Sequence, residues 1–300
     1  MNTQIVKPFF TFILLFGALV CYGQINVLQQ QINQLIATKK AIIGVTVYNM
    51  ETGQTVSVNG EKRLPMLSVF KFHIALTVLY QVDNCQLSMN QLVKIKKSDL
   101  LPTTWSPLRD EYPEGNIDLP LSKLLIYTVS ESDNNGCDIL LRLIGGTKTV
   151  NDYMHRLGVK DVDIQANEAE MHTAWNVQYR NWTTPQAAAL LLRKFYEQKI
   201  LSSESFDFLW NVMTKTSTGA NRIRGGVPQG IIVANKTGTS NTSPQGITAA
   251  TNDIGIVTLP NGNHYIIAVF VSDSNENNAA NEQIIAHISK LAWDYFSELK

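Results

Sequence analysis

The chain reads as a two-lobed α/β (α+β) protein: an antiparallel sheet with flanking helices, plus an all-helical lobe. Three observations carry that reading. Short β-rich runs occur near the start of the chain and again after residue 230. Between about Met66 and Met213 the pattern is mainly helical, and a helical stretch closes the chain. Strands from the two ends can be buried together only in one shared sheet, with the terminal helices packed on it. The α/β lobe is expected at about 24–63 and 214–300, and the helical lobe at about 64–213. A site between the lobes can then draw on both.

Residues 27–39 have the spacing of an amphipathic helix. Two β-rich runs follow, 42–49 and 54–58, joined through Glu51-Thr-Gly53 as a hairpin. In the centre, helices are expected at 69–82, 119–129, 135–143, 149–157 and 185–196. Gly145-Gly146 and Gly158 are helix stops, since glycine readily takes the left-handed conformation that ends a helix. Thr183-Thr184-Pro185 is a helix start: a hydroxyl cap precedes a proline that needs no hydrogen-bond donor. After Gly230 come a run at 231–235 leading into Lys236, then 254–259 and 265–271 around the hairpin signal Pro260-Asn-Gly-Asn263. Residues 279–298 read as the closing amphipathic helix.

Three hundred residues can bury a large core. The 25 basic and 25 acidic side chains cancel, which gives no electrostatic footprint for nucleic acid or anionic lipid. The five histidines are scattered and no CxxC or HExxH occurs, so a zinc hydrolase is disfavoured and no metal or other cofactor is expected. Lys7 followed by the apolar run 8–20 and by Gly23 reads as an export signal over 1–23. An uncleaved anchor and a lipoprotein site at Cys21 are the alternatives. The remaining chain, 24–300, is expected in the periplasm. Cys85 and Cys137 are expected to be two separate buried thiols, although the sequence leaves a disulfide open.

Three short blocks carry the chemistry: Ser68-Val-Phe-Lys71, Ser132-Asp-Asn134 and Lys236-Thr-Gly238. Residues three apart on a helix share a face, so Lys71 lies beside Ser68. A serine needs such a neighbour, because its free hydroxyl is a weak nucleophile. Ser132-Asp-Asn134 lies between two helical stretches, where it would also make a capped turn. Strand alternation puts Lys236 and Thr237 on opposite faces, and Gly238 lets a ligand approach the backbone closely.

Together the blocks resemble the signature of class A serine β-lactamases and their penicillin-binding relatives. The resemblance implies that fold, with hydrolysis of the β-lactam amide of penicillins and cephalosporins through a serine acyl-enzyme. Ser68 would be the nucleophile, Lys71 and Glu168 the proton carriers, and Ser132 the donor to the leaving nitrogen. Asn134 would bind the substrate's side-chain amide. Lys236, Thr237 and Thr239 would hold its carboxylate, with the Thr239 N–H in the oxyanion hole.

The deacylating glutamate lies in Gln165-Ala-Asn-Glu-Ala-Glu-Met-His172, which resembles the family's Ω-loop. Glu168 fits that position better than its neighbour Glu170. Ala166 and His172 replace the usual arginine and asparagine of this loop, a departure that resembles the PER and VEB branch, where cephalosporins are good substrates. His172 would help hold the hydrolytic water, or serve the loop alone. Trp105 sits at the family's aromatic gatepost, with a buried structural role as its alternative. Arg222, or instead Arg224, would be a second cation for the carboxylate. A monomer is the family expectation. The rival readings are a DD-peptidase or a non-hydrolysing β-lactam sensor.

Overall fold

A computed structural model describes residues 27–298. The expected export signal and Cys21 lie outside the described residues.

Helix α1 covers 27–37. Strands β1 (Ile42–Asn49) and β2 (Thr55–Val58) form the expected hairpin, with Gly53 at φ 71° in its turn. The short β3 (Leu64–Pro65) precedes helix α2 (Phe70–Asp83). The middle of the chain holds β4 (Leu92–Ile95), α3 (Pro107–Glu111), β5 (Ile117–Pro120), α4 (Leu121–Val129), α5 (Asn134–Ile144) and α6 (Thr147–Arg156). It continues through β6 (Val162–Asp163), α7 (Glu168–Met171), β7 (Trp182–Thr183), α8 (Pro185–Tyr196) and α9 (Ser203–Thr214). Strands β8 (Val233–Thr239), β9 (Thr248–Thr258) and β10 (His264–Ser274) and helix α10 (Asn278–Ser297) complete it.

The main sheet is antiparallel in the order β2-β1-β10-β9-β8, so strands from both ends of the chain do pair. Its two faces meet different partners. Ile43, Val45, Val47, Tyr265, Ile267 and Val269 pack with Leu28, Ile32, Ile284, Ile288 and Phe296 of the terminal helices. Ile254, Ile256, Ile266, Ala268 and Phe270 face the helical core around α2. Burial on both faces explains why β10 is apolar almost throughout instead of alternating. From Phe70 to Leu79 every side chain of α2 is buried, as befits a helix surrounded by others.

The central part is not wholly helical. It carries a two-stranded sheet β4-β5 and a three-stranded sheet β3-β7-β6. These strands are two to four residues long, too short for a period-two pattern to show. The punctuation read from sequence holds. Gly145 ends α5 at φ 95°, and the Thr184 hydroxyl accepts from Ala187 N at 3.1 Å to cap α8. Cys85 and Cys137 are free; Cys137 is buried, but Cys85 is exposed, against the expectation of two buried thiols. Among the described residues no helix is long and apolar enough to cross a membrane.

Candidate active site

Ser68 sits in the single turn of 3₁₀ helix, Leu67–Val69, that leads into α2. Leu67 before it has φ 45°, and Ser132 has φ 60°. Side chains other than glycine rarely take this region, at a cost of about 1–3 kcal/mol each. Both strained residues flank the same few ångströms of space.

Lys71, one turn into α2, is fully buried. Its Nζ lies 2.9 Å from Ser68 Oγ, 2.8 Å from the Ser132 carbonyl and 2.8 Å from Glu168 Oε1. It also donates to Asn134 Oδ1. Four oxygens thus surround one nitrogen, while an ammonium has only three protons to give. Ser68 alone among the four carries a hydrogen on that oxygen, so it is the one that can donate to Lys71 once Lys71 has lost a proton. Ser68 Oγ and Glu168 Oε1 stand 3.5 Å apart, beyond an ordinary O–H···O bond. Lys71 bridges them.

The Ser132 block is held by Asp133. This buried carboxylate accepts from Gly136 N at 2.7 Å, which caps α5, and from Leu108 N and Ser106 Oγ, which ties α3 to it. Asn134 has its side-chain oxygen on Lys71 and its Nδ2 on Thr104 Oγ1 at 2.6 Å. Lys236, fully buried on β8, donates to Ser132 Oγ at 2.8 Å and to the Thr237 carbonyl at 3.0 Å. Burial first, and the Lys71 charge second, push its pKa well below the ordinary lysine value. Behind it, Asp253 is buried on β9 and bonded to Asn235 Nδ2, and burial raises its carboxyl to about 6.

Thr237 Oγ1 lies 2.6 Å from Thr218 Oγ1. Ser240 N bonds Ala250 O on β9, so strand alternation turns the N–H of Thr239 to the free edge of β8. Gly238 corrects one expectation. A Cβ there would stand 2.3 Å from the Met66 carbonyl, so its close neighbour is the turn that carries Ser68 and not a ligand.

The loop before α7 separates the two glutamates. Asn167 and Glu170 form a capping box, each side chain bonding the other's backbone N–H at 2.8 Å. Glu168 is left to turn inward, 5% exposed, onto Lys71. Asp138 on α5 accepts from Glu168 N at 2.8 Å and Ala169 N at 2.9 Å; burial raises its carboxyl to about 6. Asn181 clamps the loop's neck. Its side chain accepts from Gln165 N and Ala166 N and donates to the Ala166 carbonyl, so no charge is needed at Ala166.

The softer expectations resolve as follows. Trp105 is 60% exposed, its indole N–H on the Glu131 carbonyl at 2.9 Å, so it is not a core residue. His172 is exposed, and its Nδ1 donates to the Glu168 carbonyl at 2.7 Å, a backbone contact. Arg222 is buried, and its guanidinium meets Glu282, the Gly238 and Asn252 carbonyls and, at 2.8 Å, Thr239 Oγ1. It therefore reaches the cleft through Thr239. Arg224 points elsewhere, to the carbonyls of Thr214, Thr216 and Val233. Ser68, Trp105, Asn134, Glu168, His172 and Thr239 all line one cleft of about 410 Å³. Sequence reading missed Asp138, Asn181, Thr218 and the loop's Trp175, which lines the same cleft. Asp138, four residues after Asn134 on one helix face, carried the only local signal.

The profile of the Beta-lactamase enzyme family matches residues 27–296. The chain belongs to this family. It is 46% identical over 285 residues to β-lactamase VEB-1 of Pseudomonas aeruginosa, covering 94% of this chain and 95% of that one. The extended-spectrum β-lactamase PER-1 of the same species is 41% identical, with 95% and 92% covered. The crystal structure of TLA-1 extended-spectrum β-lactamase superposes with a TM-score of 0.90 at 53% identity, covering 91% of this chain and 99% of that one.

Proposed function

We infer that Ser68 is the nucleophile of this class A serine β-lactamase, and that Lys71 carries its proton to Glu168. The observation that carries this assignment is the Lys71 ammonium, 2.9 Å from Ser68 Oγ and 2.8 Å from Glu168 Oε1. Lys71 first gives a proton to Glu168 and then, as a free amine, takes the proton of Ser68 as Oγ bonds to the lactam carbonyl carbon. The N–H groups of Ser68 and Thr239 receive the oxyanion, a contribution usually among the largest in such sites. The C–N bond then breaks, and Ser132 Oγ protonates the nitrogen, with Lys236 at 2.8 Å supporting the transfer; the proton held by Glu168 is passed on to restore Ser132, which leaves Glu168 a carboxylate again. In deacylation Glu168 takes a proton from water as that water attacks the ester. Ser68 leaves with a proton returned through Lys71.

A buried carboxylate beside the nucleophile distinguishes this reading from a DD-peptidase or a sensor. Lys236, with Thr237 and Thr239, anchors the substrate carboxylate; Arg222 orients Thr239. Asn134 binds the side-chain amide, and His172 steadies the Glu168 backbone. The substrates are penicillins and cephalosporins, with an extended-spectrum cephalosporin preference by likeness to VEB-1, PER-1 and TLA-1, and the activity confers β-lactam resistance. Residues 1–23 direct export, and the catalytic domain from residue 24 works in the periplasm as a monomer without a membrane anchor; Cys21 lipidation is the lesser alternative.

The test is Glu168→Ala with a cephalosporin, followed by mass spectrometry of the protein. The variant should acylate at Ser68 and accumulate the covalent adduct, with turnover down at least about 100-fold, the scale of a lost general base. Rapid turnover by this variant would refute the role given to Glu168.

A further inference from the structure

The cleft holds an aromatic surface that the reaction steps above do not use. Trp175, on the 3₁₀ segment Trp175–Arg180, is 39% exposed and lines the cleft together with Trp105 and Ser68. Both indoles have their polar edges engaged. The Trp105 N–H is on the Glu131 carbonyl. The Trp175 N–H lies beside the Tyr179 hydroxyl, which itself donates to Asp273 Oδ1 at 2.5 Å on β10. The backbone of Trp175 is pinned too, because Gln178 Nε2 donates to its carbonyl at 2.9 Å. What remains open to the cleft is apolar ring on a stiff mount. Such a surface binds at low entropic cost, since few torsions are left to freeze.

The direction of the substrate follows from the charges. Lys236 and Thr237 mark the carboxylate end, and Ser68 marks the reacting carbonyl. Lys236 and Thr237 are not among the residues of the cleft wall that Met171, Ala174, Trp175 and Gln178 of the Glu168 loop form with Asn241 after β8. That wall is left for the acylamino side chain. We propose that Trp175 is a specificity-determining residue. Its ring, with that of Trp105, takes an aryl or heteroaryl group on the acylamino side chain of the β-lactam. The assignment rests on the β-lactamase reading and names a substrate feature within it.

The test compares two substrates on one bicyclic nucleus, one with an arylacetyl and one with an acetyl side chain. In Trp175→Ala the ratio of kcat/KM, aryl over acetyl, should fall about tenfold, the range expected for one lost aromatic contact, and the loss should sit in KM. Trp175→Phe should keep most of the ratio, and Trp175→Leu, which preserves bulk without a ring, should lose it. A loop merely loosened around Glu168 would slow both substrates together and leave the ratio alone. An unchanged ratio in Trp175→Ala and Trp175→Leu, with brisk wild-type turnover, overturns the proposal. If the wild-type enzyme opened neither substrate, the hydrolase reading would fall first and the aromatic wall with it.

Discussion

Glu168 and Glu170 are chemically identical, two residues apart, and differently employed. Glu170 closes a capping box at the surface, while Glu168 is buried against Lys71. The difference comes from one turn of helix, which places i and i+2 on nearly opposite faces. It yields a sharp contrast between variants. Glu170→Ala removes one cap, costs about 1 kcal/mol of stability and lowers Tm by a few degrees, with turnover within about threefold of wild type. Thermal melts and steady-state kinetics on that variant check it; a blocked deacylation there would reverse the two roles. Ser68 and Lys71 could be paired from sequence because three-residue spacing on a helix is a local property. Which glutamate turns inward was weighed only by likeness, since Asp138, the group that draws the Glu168 backbone in, lies 30 residues away.

At the scale of elements, the site depends on β8 lying close against the turn before α2. Asn252 on β9 donates to the Pro65 carbonyl at 2.8 Å and Asn181 accepts from Met66 N at 2.8 Å, so the Ser68 turn is held from the sheet and from the loop. Gly238 makes the approach possible. We expect Gly238→Ala to push β8 away from the Met66 carbonyl, because a backbone atom cannot yield as a side-chain tip can. The variant should lose about 1–3 kcal/mol of stability, and its acylation rate should fall at least about tenfold as the Thr239 N–H moves off the oxyanion position. Stopped-flow acylation alongside denaturant melts measures both; normal acylation in a folded variant would show that the contact is only structural. The sequence marked Gly238 as a place where a ligand comes close, whereas the group that approaches is the Met66 carbonyl.

Over the whole molecule, α2 joins the site to the core, and His73 is buried within it beside Lys71's helix neighbours. Burial lowers the His73 pKa from 6.5 to about 4, with the Val69 backbone opposing only in part. The unfolded chain therefore binds a proton between pH 6.5 and 4 that the native state refuses. Stability from this group is full above pH 6.5 and is lost as pH falls towards 4, by about 3 kcal/mol in all. Asp138 and Asp253, each raised to about 6, act in the opposite direction, since the native state takes up their protons more readily. The informative quantity is thus a difference. His73→Leu should lose less stability than wild type between pH 7 and pH 4.5, by denaturant titration. Equal losses would mean that another group governs the acid limb.

The division between chain and fold follows the range of the forces involved. Helix stops at Gly145 and Gly158, the Thr184 cap, the Asn-Gly hairpin and the Ser68–Lys71 spacing rest on interactions within a few residues, and these were readable along the chain. So was the pairing of the two ends in one sheet, because apolar runs that long have to be covered. The short strands β3 to β7, the Asn181 clamp, the Arg222 contact with Thr239 and the place of Trp175 in the cleft had no such local sign. Each depends on groups brought together by packing the sheet against the helical core, and the identity of a residue does not reveal which distant atom will lie three ångströms from it.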